Sequence, residues 1–458
     1  MKEKHKNKKV SLIAVALVII LLPVLGVLVI RMERETPQIE IDLASSQFGV
    51  ERNLAITVSD KKSGLKSLWI GILKDGQEVV LLEKEFPASG WLKKGSVNRK
   101  PINISVKPKE LGLKDGNGML RMVVTDYSWR GWGKGNRTYI EQQINIDTKA
   151  PRIEVLTDAH NISPGGAALV LYKISERCQR SGVTVGDNFF PGHPAGVADK
   201  DIFLSFFALA HDQAKGTPIR LEAVDMAGNR AKAGFYHYIK SKSFRKDTIR
   251  ISDGFLTSKL PEFEAFLTSY LEQAPIDQFL HVNRELRREN KQAIERVTAR
   301  SENKIYWKGI FKRLPGSATR SRFADRRSYI YKGKTIDHQV HMGEDLASNA
   351  RAPIPAANHG KVVFNEFLGI YGNTIIIDHG FGLFSLYAHL SSVDVEVGQI
   401  VGRGDIIGRT GKTGMAGGDH LHFSMLVHNT LVTPLEWWDE TWIKNNVSGK
   451  LKMFGLVE

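Results

Sequence analysis

Hydrophobic residues near the N-terminus form one unbroken run. Residues 10–30 contain no charged side chain, and five lysines precede them at positions 2, 4, 6, 8 and 9. A helix rises about 1.5 Å per residue, so about 20 apolar residues cross a bilayer core of about 30 Å. The pattern therefore predicts a membrane-spanning helix over residues 10–30.

The residues that flank this helix indicate how it is used. The lysines favour a cytoplasmic position for residues 1–9, because positively charged flanks tend to stay inside. A cleaved signal peptide is the alternative, but it normally has a shorter apolar stretch followed by a site of small residues. Here charged residues follow at 31 and 33–35. We therefore favour an uncleaved single-pass anchor, with everything after Arg31 on the extracytoplasmic side of the cell membrane.

Between residues 36 and 246 the pattern changes to short runs of alternating apolar and polar residues, punctuated by Gly, Asp, Asn and Pro. This spacing is typical of antiparallel β-sandwiches. A weak internal repeat indicates two copies, because 124–136 and 223–229 both contain a valine, an aspartate one or two residues later, and then Gly-Asn. We predict an extended link at Pro151 between the two modules. They serve either as spacers or as binding surfaces, and envelope proteins are candidate partners.

From residue 260 to 300 the apolar spacing becomes helical. Phe263, Phe266 and Leu267 fit one helical face. A second face is formed by Phe279, Val282 and Leu286. Pro275 should separate two helices. The stretch 284–300 is strongly charged and either projects from the protein or lies across the following domain. It acts either as a spacer or as a gate over a substrate groove, and we favour the spacer.

Composition narrows the class of protein. The 458 residues carry a formal net charge of +15 and a single cysteine, Cys178. One cysteine gives no disulfide framework and is compatible with an exported protein. The sequence contains no nucleic-acid-binding module, so we expect no nucleic acid as partner. The basic surface of an exported protein meets anionic wall polymers and lipid head groups instead.

Two histidine motifs carry the candidate chemistry. One is His420-Leu421-His422, and the other begins at His341 and ends four residues later at Asp345. In a β-strand, side chains at i, i+2 and i+4 share one face, so each motif directs its polar side chains to one point. Two nitrogens and one oxygen suit a tetrahedral Zn²⁺ with a fourth position left open, which is the arrangement of catalytic sites.

A third motif, Tyr-Ala-His-Leu at 387–390, lies between these two. The set H-x-G-x-D, Y-A-H-L and H-L-H-F, in that order, resembles the M23 (LytM/lysostaphin-type) zinc endopeptidases that cut peptidoglycan cross-links. The resemblance runs from about residue 338 to residue 438. It includes the connecting pieces 371–374, 397–399, 407–411 and 434–438.

The resemblance implies a role for each of five residues. It makes His341, Asp345 and His422 the zinc ligands, and His389 and His420 the unliganded catalytic histidines. A histidine with its usual pKa near 6.5 can take or return a proton at neutral pH. We expect His420 to be the general base and His389 to steady the charge that develops on the scissile carbonyl oxygen.

Two positions depart from the common wording of the family. Asp419 stands where Pro is frequent, and Ser424 stands where Glu is frequent. We expect both residues to affect the surroundings of the ligands and the choice of substrate, rather than whether zinc binds. Asp419 either orients an imidazole or is a solvated loop acid, and we favour the loop acid. Strand alternation should turn Glu344 away from the ligands, and His379 should be structural rather than a substrate contact.

These features predict a mainly β, multidomain protein with a C-terminal antiparallel-β M23 peptidase domain and its zinc in an open groove. The implied function is a membrane-anchored, zinc-dependent endopeptidase that hydrolyses peptidoglycan. One alternative is a non-catalytic M23-like domain that activates another wall hydrolase, and another is a protease of secreted proteins or glycine-rich peptides. The predicted segments are a tail at 1–9, an anchor at 10–30, β-sandwich-like modules at 36–149 and 150–246, a helical segment at 255–300 and the peptidase domain at 305–445.

Overall fold

The computed structural model describes residues 2–43, 45–90 and 94–457, and Met1 of the predicted tail lies outside them. The chain divides into two compact units. The first comprises residues 1–150 and 224–229, and the second comprises 151–223 and 230–458. Strands predominate in both, which confirms the predicted mainly β class.

The apolar N-terminal run forms one helix, Lys2–Arg31, and Pro23 lies inside it without ending it. Its segment Ser11–Arg31 is long and apolar enough to cross a membrane, and the most apolar 18-residue window of this segment contains no buried residue. A signal sequence has the same length and composition, so the helix is compatible with either use.

Two larger sheets form the body of the β module in the first unit, and a short pair, Ala88–Ser89 with Lys94–Gly95, adds a third. One of the larger sheets has three strands and the other has five, and their inward side chains share one core that includes Leu54, Leu68 and Met122. Along Arg52–Ser59 every second residue from Leu54 to Val58 is buried, as the alternating pattern predicts. The strands, in spatial order, are Gln38–Asp42, Arg52–Ser59 and Arg99–Val106, then Gln47–Phe48, Arg137–Ile146, Gly116–Asp126, Leu65–Lys74 and Gln77–Glu85.

The internal repeat has the same hydrogen bonds in both copies. Oδ1 of buried Asp126 accepts from the backbone of Asn136, whose Nδ2 donates to Oδ2 of Asp126. Asp225 and Asn229 form the same two bonds. Each Asp-Asn pair therefore fastens the turn that follows its strand.

The second β module packs within the second unit. Its strands, by sheet, are Ile153–Val155, Gly166–Ile174, Ile202–Leu209 and His193–Pro194; Asn188–Pro191, Cys178–Val185, Ile219–Asp225 and Arg230–Ala233; and His160–Ile162 with His237–Ile239. Its buried side chains, such as Leu169 and Phe206, belong to the same core cluster as Met425 and Trp437 near the C-terminus. The structure therefore joins this module and the peptidase region in one unit.

The largest sheet of the second unit has eight strands. In spatial order these are Ala318–Ser321, Glu344–Ala347, Leu421–Val427, Leu383–Leu390, Asn373–Gly380, Gly360–Phe367 and Ile400–Val401, with Thr430–Val432 beside Leu421–Val427. All eight residues of Leu383–Leu390 are buried, because two core clusters cover the two faces of the sheet. A strand covered on both faces is mainly apolar, and in this one the polar residues are Ser385, His389 and the hydroxyl-bearing Tyr387.

Two small sheets flank the largest one. Their strands are Lys246–Ile251, Arg326–Tyr331 and Lys334–Val340, then Pro353–Pro355, Ile406–Arg409 and Ser392–Val393. The chain closes with short helices at Pro434–Trp437, Glu440–Ile443, Lys444–Ser448 and Gly449–Lys452.

The predicted helical segment begins earlier than its apolar spacing indicated. A helix at Asp253–Lys259 passes into a tighter turn over Leu260–Phe266, and the chain then bends before the next helix starts at Pro275. Phe263 and Leu267 are buried as predicted. Phe266 was predicted on the same face but is 40% exposed, and its ring stacks on Phe367.

The charged helix lies against the peptidase region rather than projecting from it. Helical turns run from Pro275 through Val297, with one wider turn over Val282–Leu286. Buried Ile294 joins the cluster that holds Phe384, and Oδ1 of Asn290 accepts from the backbone of Ile370 at 2.9 Å. The helix thus covers one face of the largest sheet.

Candidate metal centre

Three strands bring the histidine motifs together at the middle of the largest sheet. Leu421–Val427 lies between Glu344–Ala347 and Leu383–Leu390. In this register His422 is directly opposite Asp345 on one neighbour and Ala388 on the other. Directly opposed residues have Cβ atoms about 4.5–5.5 Å apart, so the sheet alone places the motifs within reach of one another.

The three predicted ligands converge on one point. Nε2 of His341 is 2.9 Å from Oδ1 of Asp345 and 3.0 Å from Nδ1 of His422. Nδ1 of His422 is in turn 2.9 Å from Oδ1 of Asp345. The three atoms form a nearly equilateral triangle, and all three residues are buried.

The outer contacts of both imidazoles fix where their hydrogens lie. Nδ1 of His341 is 3.0 Å from the carbonyl oxygen of Arg322, which can only accept. Ser424 donates its hydroxyl hydrogen to the carbonyl of Met342, so its oxygen accepts from Nε2 of His422 at 3.1 Å. Each imidazole therefore carries its N–H on the outer nitrogen and presents a lone pair to the triangle.

A cation is the group that fits this triangle. Three lone-pair-bearing atoms at these distances repel one another unless positive charge lies between them. Zinc bonds of about 2.0–2.2 Å to nitrogen and oxygen place tetrahedral ligands about 3.3–3.6 Å apart, so the three atoms would move apart by about 0.3–0.7 Å from the separations of 2.9–3.0 Å found here. The chain's own residues thus suit a tetrahedral zinc ion, with histidine orientation supplied by Arg322 and Ser424.

Asp345 stays ionised at this site. Burial by itself would raise the pKa of its carboxyl group, but the imidazoles of His341, His420 and His422 that surround it hold that pKa well below its usual range. The guanidinium of Arg327 also contacts this carboxylate, and its Nη2 donates to Oδ2 of Asp345 at 3.1 Å. The arginine was not singled out by sequence as a site residue, because nothing in its strand distinguishes it from other basic residues.

The two remaining histidines face the same point. Nδ1 of His389 bonds to the carbonyl of Thr413 at 2.9 Å, and Nδ1 of His420 bonds to that of Gly418 at 2.8 Å. Nε2 of His420 consequently lies 3.5 Å from Oδ1 of Asp345. All five predicted site residues line one cleft of about 330 Å³. The structure therefore assembles the complete predicted set.

The surroundings shift the pKa values of His389 and His420 in opposite directions. Burial, together with the neighbouring imidazoles, lowers the pKa of His389 well below its ordinary value. Burial also opposes the charge on His420, but Asp345 outweighs it and the pKa of His420 is raised. His389 also has a φ of +67°, a backbone conformation that non-glycine residues rarely adopt and that is often kept at functional sites.

Asp419 fastens a loop and contacts no imidazole among the described residues. Its Oδ1 accepts from the hydroxyl of Thr410 at 2.6 Å, and its Oδ2 accepts from the backbone of Arg351 at 3.1 Å. The structure agrees with a loop acid, although this one is partly buried and hydrogen-bonded. Its effect on His420 is to fix the loop that precedes it.

Glu344 and His379 are structural, as predicted. Glu344 turns away from the ligands, and its Oε1 accepts from the backbone of Phe323 at 2.9 Å. His379 is fully buried, with one ring nitrogen on the carbonyl of His359 and the other on the hydroxyl of Ser385. Burial lowers the pKa of His379 to about 4, so its ring is neutral at physiological pH.

Comparison with known proteins identifies a match in this region. The model of peptidase family M23 matches residues 339–434, which contain all five site residues. The DD-carboxypeptidase/endopeptidase Mpg of Neisseria meningitidis serogroup B is 36% identical over 97 residues, or 21% of this chain and 22% of that protein. The peptidoglycan DD-endopeptidase ShyB of Vibrio cholerae is 34% identical over 116 residues, or 25% of this chain and 26% of that protein. The matched region thus spans about a quarter of these curated relatives.

Solved structures resemble parts of the chain. A putative peptidase M23 from Pseudomonas aeruginosa has 22% sequence identity and a TM-score of 0.38, and the match covers 59% of this chain and 92% of that one. The catalytic domain of lysostaphin from Staphylococcus simulans has 29% identity and a TM-score of 0.23, with 27% and 92% covered.

Proposed function

We propose that the chain is a zinc-dependent endopeptidase that hydrolyses peptide bonds of peptidoglycan, since the model of peptidase family M23 matches residues 339–434. The observation that carries this proposal is the triangle of His341, Asp345 and His422. Its two nitrogens and one oxygen lie 2.9–3.0 Å from one another, and two further imidazoles lie beside it. The curated relative ShyB is named a peptidoglycan DD-endopeptidase, which supports the substrate class.

His341, Asp345 and His422 would hold the ion through two nitrogens and one oxygen. When bound, zinc supplies Lewis acidity toward a peptide carbonyl and makes water acidic enough to ionise near pH 7. Arg322, Ser424 and Arg327 keep the three ligands in place through the contacts described above. A ligand set held in this way needs little rearrangement to bind its ion.

His420 and His389 have different roles: one transfers the proton, and the other stabilises the developing negative charge. We assign His420 as the general base, because its Nδ1 is held by a backbone carbonyl and its Nε2 is directed at the site. It takes a proton from the attacking water and returns it to the leaving amine. His389 keeps its Nδ1 hydrogen on the carbonyl of Thr413, so it steadies the developing oxyanion only after its Nε2 has taken up a second proton, which the negative charge on that oxygen favours.

A non-catalytic domain that activates a separate wall hydrolase is the alternative. A silent domain has no need for a complete ligand set or for two further histidines directed at it. Here all five are in place, and we therefore favour the enzyme. A protease of secreted proteins or glycine-rich peptides is the third candidate.

One experiment separates the three functions. The zinc content of the full chain is measured by elemental analysis, and purified sacculi are digested and analysed by mass spectrometry. The control pair is Asp345→Asn against Asp212→Asn, an exposed acid. New peptide termini released by the wild type and by Asp212→Asn, but not by Asp345→Asn, support the endopeptidase. Intact sacculi together with stimulation of a second hydrolase would support the non-catalytic activator instead. Cleavage of proteins but not of sacculi would support the protease of secreted proteins.

We further propose that the apolar N-terminal helix is an uncleaved single-pass anchor and that the catalytic domain is extracytoplasmic. The predicted partition into tail, anchor, two β modules, helical segment and peptidase domain is part of this proposal, with the β modules as spacers or as surfaces for envelope proteins. Five lysines before an apolar run of 21 residues support the orientation. Membrane fractionation with N-terminal sequencing tests it, and a mature chain that starts after residue 30 would overturn the anchor.

A further inference from the structure

A second cleft, of about 740 Å³, adjoins the metal centre. Four residues line both clefts, namely Arg287, Arg327, Met342 and Tyr371. Arg327 marks the junction most closely, because its guanidinium also contacts Asp345. A peptide that reaches the zinc site can therefore continue directly into this second cleft.

The second cleft is strongly basic. Seven of the fifteen residues that line it are Lys or Arg, and none is Asp or Glu. Besides Arg327, the basic residues are Lys246, Arg284, Arg287, Arg288, Lys291 and Arg326. Like charges gathered in a cleft with low-dielectric walls concentrate their field, which raises the local concentration of anions.

Two elements supply the opposing walls of the basic cleft. One wall is the edge where Lys246–Ile251 pairs with Arg326–Tyr331, with Lys246 directly beside Arg326. The other wall is the helical stretch that contains Val282–Leu286 and Arg287–Val297. Like charges side by side on neighbouring strands destabilise a sheet. An anion bound between them would relieve that cost.

Internal carboxylates pair with only some of these cations. Arg284 lies 3.0 Å from Asp337, and Arg288 lies 2.9 Å from Glu285. In the described part of the chain, the exposed side chains of Lys246 and Arg326 have no carboxylate within ion-pair distance. These two side chains are therefore available to an anion from outside.

We infer that the basic cleft binds carboxylate groups of the substrate peptide on one side of the scissile bond. This inference rests on the proposed function and names the class of substrate. Stem peptides with glutamate and diaminopimelate residues carry free carboxylates, whereas glycine bridges carry none. Guanidinium groups hold carboxylates through paired, charge-assisted hydrogen bonds. The cleft thus selects an acidic stem-peptide cross-link over a glycine bridge.

The test uses the full chain, zinc-loaded and in detergent, with two synthetic substrates. One is a cross-linked dimer of acidic stem peptides, and the other is the same dimer with its free carboxylates converted to carboxamides. The variant Lys246→Gln with Arg326→Gln is compared with Lys215→Gln with Arg230→Gln, which removes the same charge from exposed positions outside the cleft.

The wild type and the control variant should each cleave the acidic dimer with a kcat/KM about tenfold higher than that for the carboxamide dimer. One charge-assisted contact changes affinity by about that factor. The Lys246 and Arg326 variant should lose most of this preference through KM, while kcat and zinc content stay unchanged. The preference should also shrink as the ionic strength rises.

Equal cleavage of both dimers by the wild type, or an unchanged preference in the Lys246 and Arg326 variant, would overturn the inference and leave the proposed function intact. Cleavage of neither dimer would contradict the proposed function, and calorimetric binding of the same dimers then decides the inference. Phosphatidylglycerol vesicles and inorganic phosphate form a separate arm. Vesicle binding that depends on Lys246 and Arg326, without any dimer preference, would reassign the cleft to phosphate head groups.

Discussion

The ring of His422 packs directly over the α-carbon of Gly343, two residues beyond the first metal ligand. A β-carbon built at Gly343 would lie 2.6 Å from Nε2 of His422 and 2.5 Å from the hydroxyl of Ser424. No side chain fits in that space without moving the ligand or the serine that orients it. The glycine of the motif His-Met-Gly-Glu-Asp is thus explained by contact with the third ligand.

Gly343→Ala should therefore weaken zinc binding and destabilise the fold. Overpacking of a well-packed site costs about 1–3 kcal/mol, and the displaced His422 leaves the ligand triangle. Gly417→Ala is the matched control, because a β-carbon there meets no atom within 4 Å. Zinc affinity by competitive chelation and unfolding by urea measure both effects. Equal zinc affinity in the two variants would contradict the packing argument.

Removal of a ligand should abolish both zinc binding and hydrolysis. His341→Ala, Asp345→Ala and His422→Ala each leave two ligands, too few to hold the ion at the micromolar concentrations of an assay. Elemental analysis after gel filtration measures the zinc content, and digestion of sacculi measures activity. Full zinc content in His422→Ala would show that this histidine is not a ligand.

His389→Ala and His420→Ala should keep zinc and lose most of the turnover. Neither side chain belongs to the triangle, whereas general acid–base groups contribute about 10²- to 10⁴-fold to the rate. The measurement is kcat on a cross-linked peptide at equal zinc content. A loss of zinc from either variant would move that histidine into the ligand set.

Ser424→Ala should lower zinc affinity by about 10- to 100-fold, the usual effect of losing a partner of a metal-bound histidine. Without the hydroxyl, Nε2 of His422 loses the acceptor that fixes its tautomer. Ser385→Ala is the control, since that buried hydroxyl contacts His379 instead. Zinc titration of both variants is the measurement, and equal affinities would remove Ser424 from the site.

Stability should fall in acid because of His428. Burial, assisted by the charge of His193, lowers the pKa of His428 to about 3 from 6.5. Between these values the unfolded chain binds a proton that the folded chain does not, so stability is complete above pH 6.5 and declines as the pH falls toward 3. At pH 5 the loss is about 2 kcal/mol.

His428→Asn should remove that part of the acid loss. Asparagine does not titrate and tolerates the φ of +50° found at this position. The free energy of unfolding of both proteins is compared by urea denaturation at pH 7.5 and pH 5. An equally steep loss in the variant would show that other groups cause the acid sensitivity.

The spacer and gate interpretations of the charged helix predict different rates for a fragment that starts near Tyr306. A gate predicts faster cleavage of sacculi than by the whole exported part, and a spacer predicts equal or slower cleavage. The fragment lacks Lys246–Ile251, which pairs with Arg326–Tyr331, and it lacks the Asn290 side chain that binds the backbone of Ile370. We therefore expect slower cleavage at equal zinc content.

Local sequence patterns are sufficient to predict many secondary-structure elements of this protein and the faces that they bury. Alternation along Arg52–Ser59 predicts its buried face, and the apolar run predicts the helix that contains Ser11–Arg31. The spacing of His420 and His422 predicts that both face one side of a strand. These features depend on backbone periodicity and on the identity of nearby residues, and both can be read from a single sequence.

Only the tertiary structure placed Arg327 on Asp345, Ser424 beneath His422 and the charged helix along the basic cleft. It also buried Asn290 against Ile370, where the sequence left open whether the charged helix projects or lies across the following domain. Each contact joins residues that have no periodic relation, so strand register and the packing of one element on another decide it. Sequence by itself determined which atoms can bind a metal, and the fold determined which neighbours hold those atoms in position.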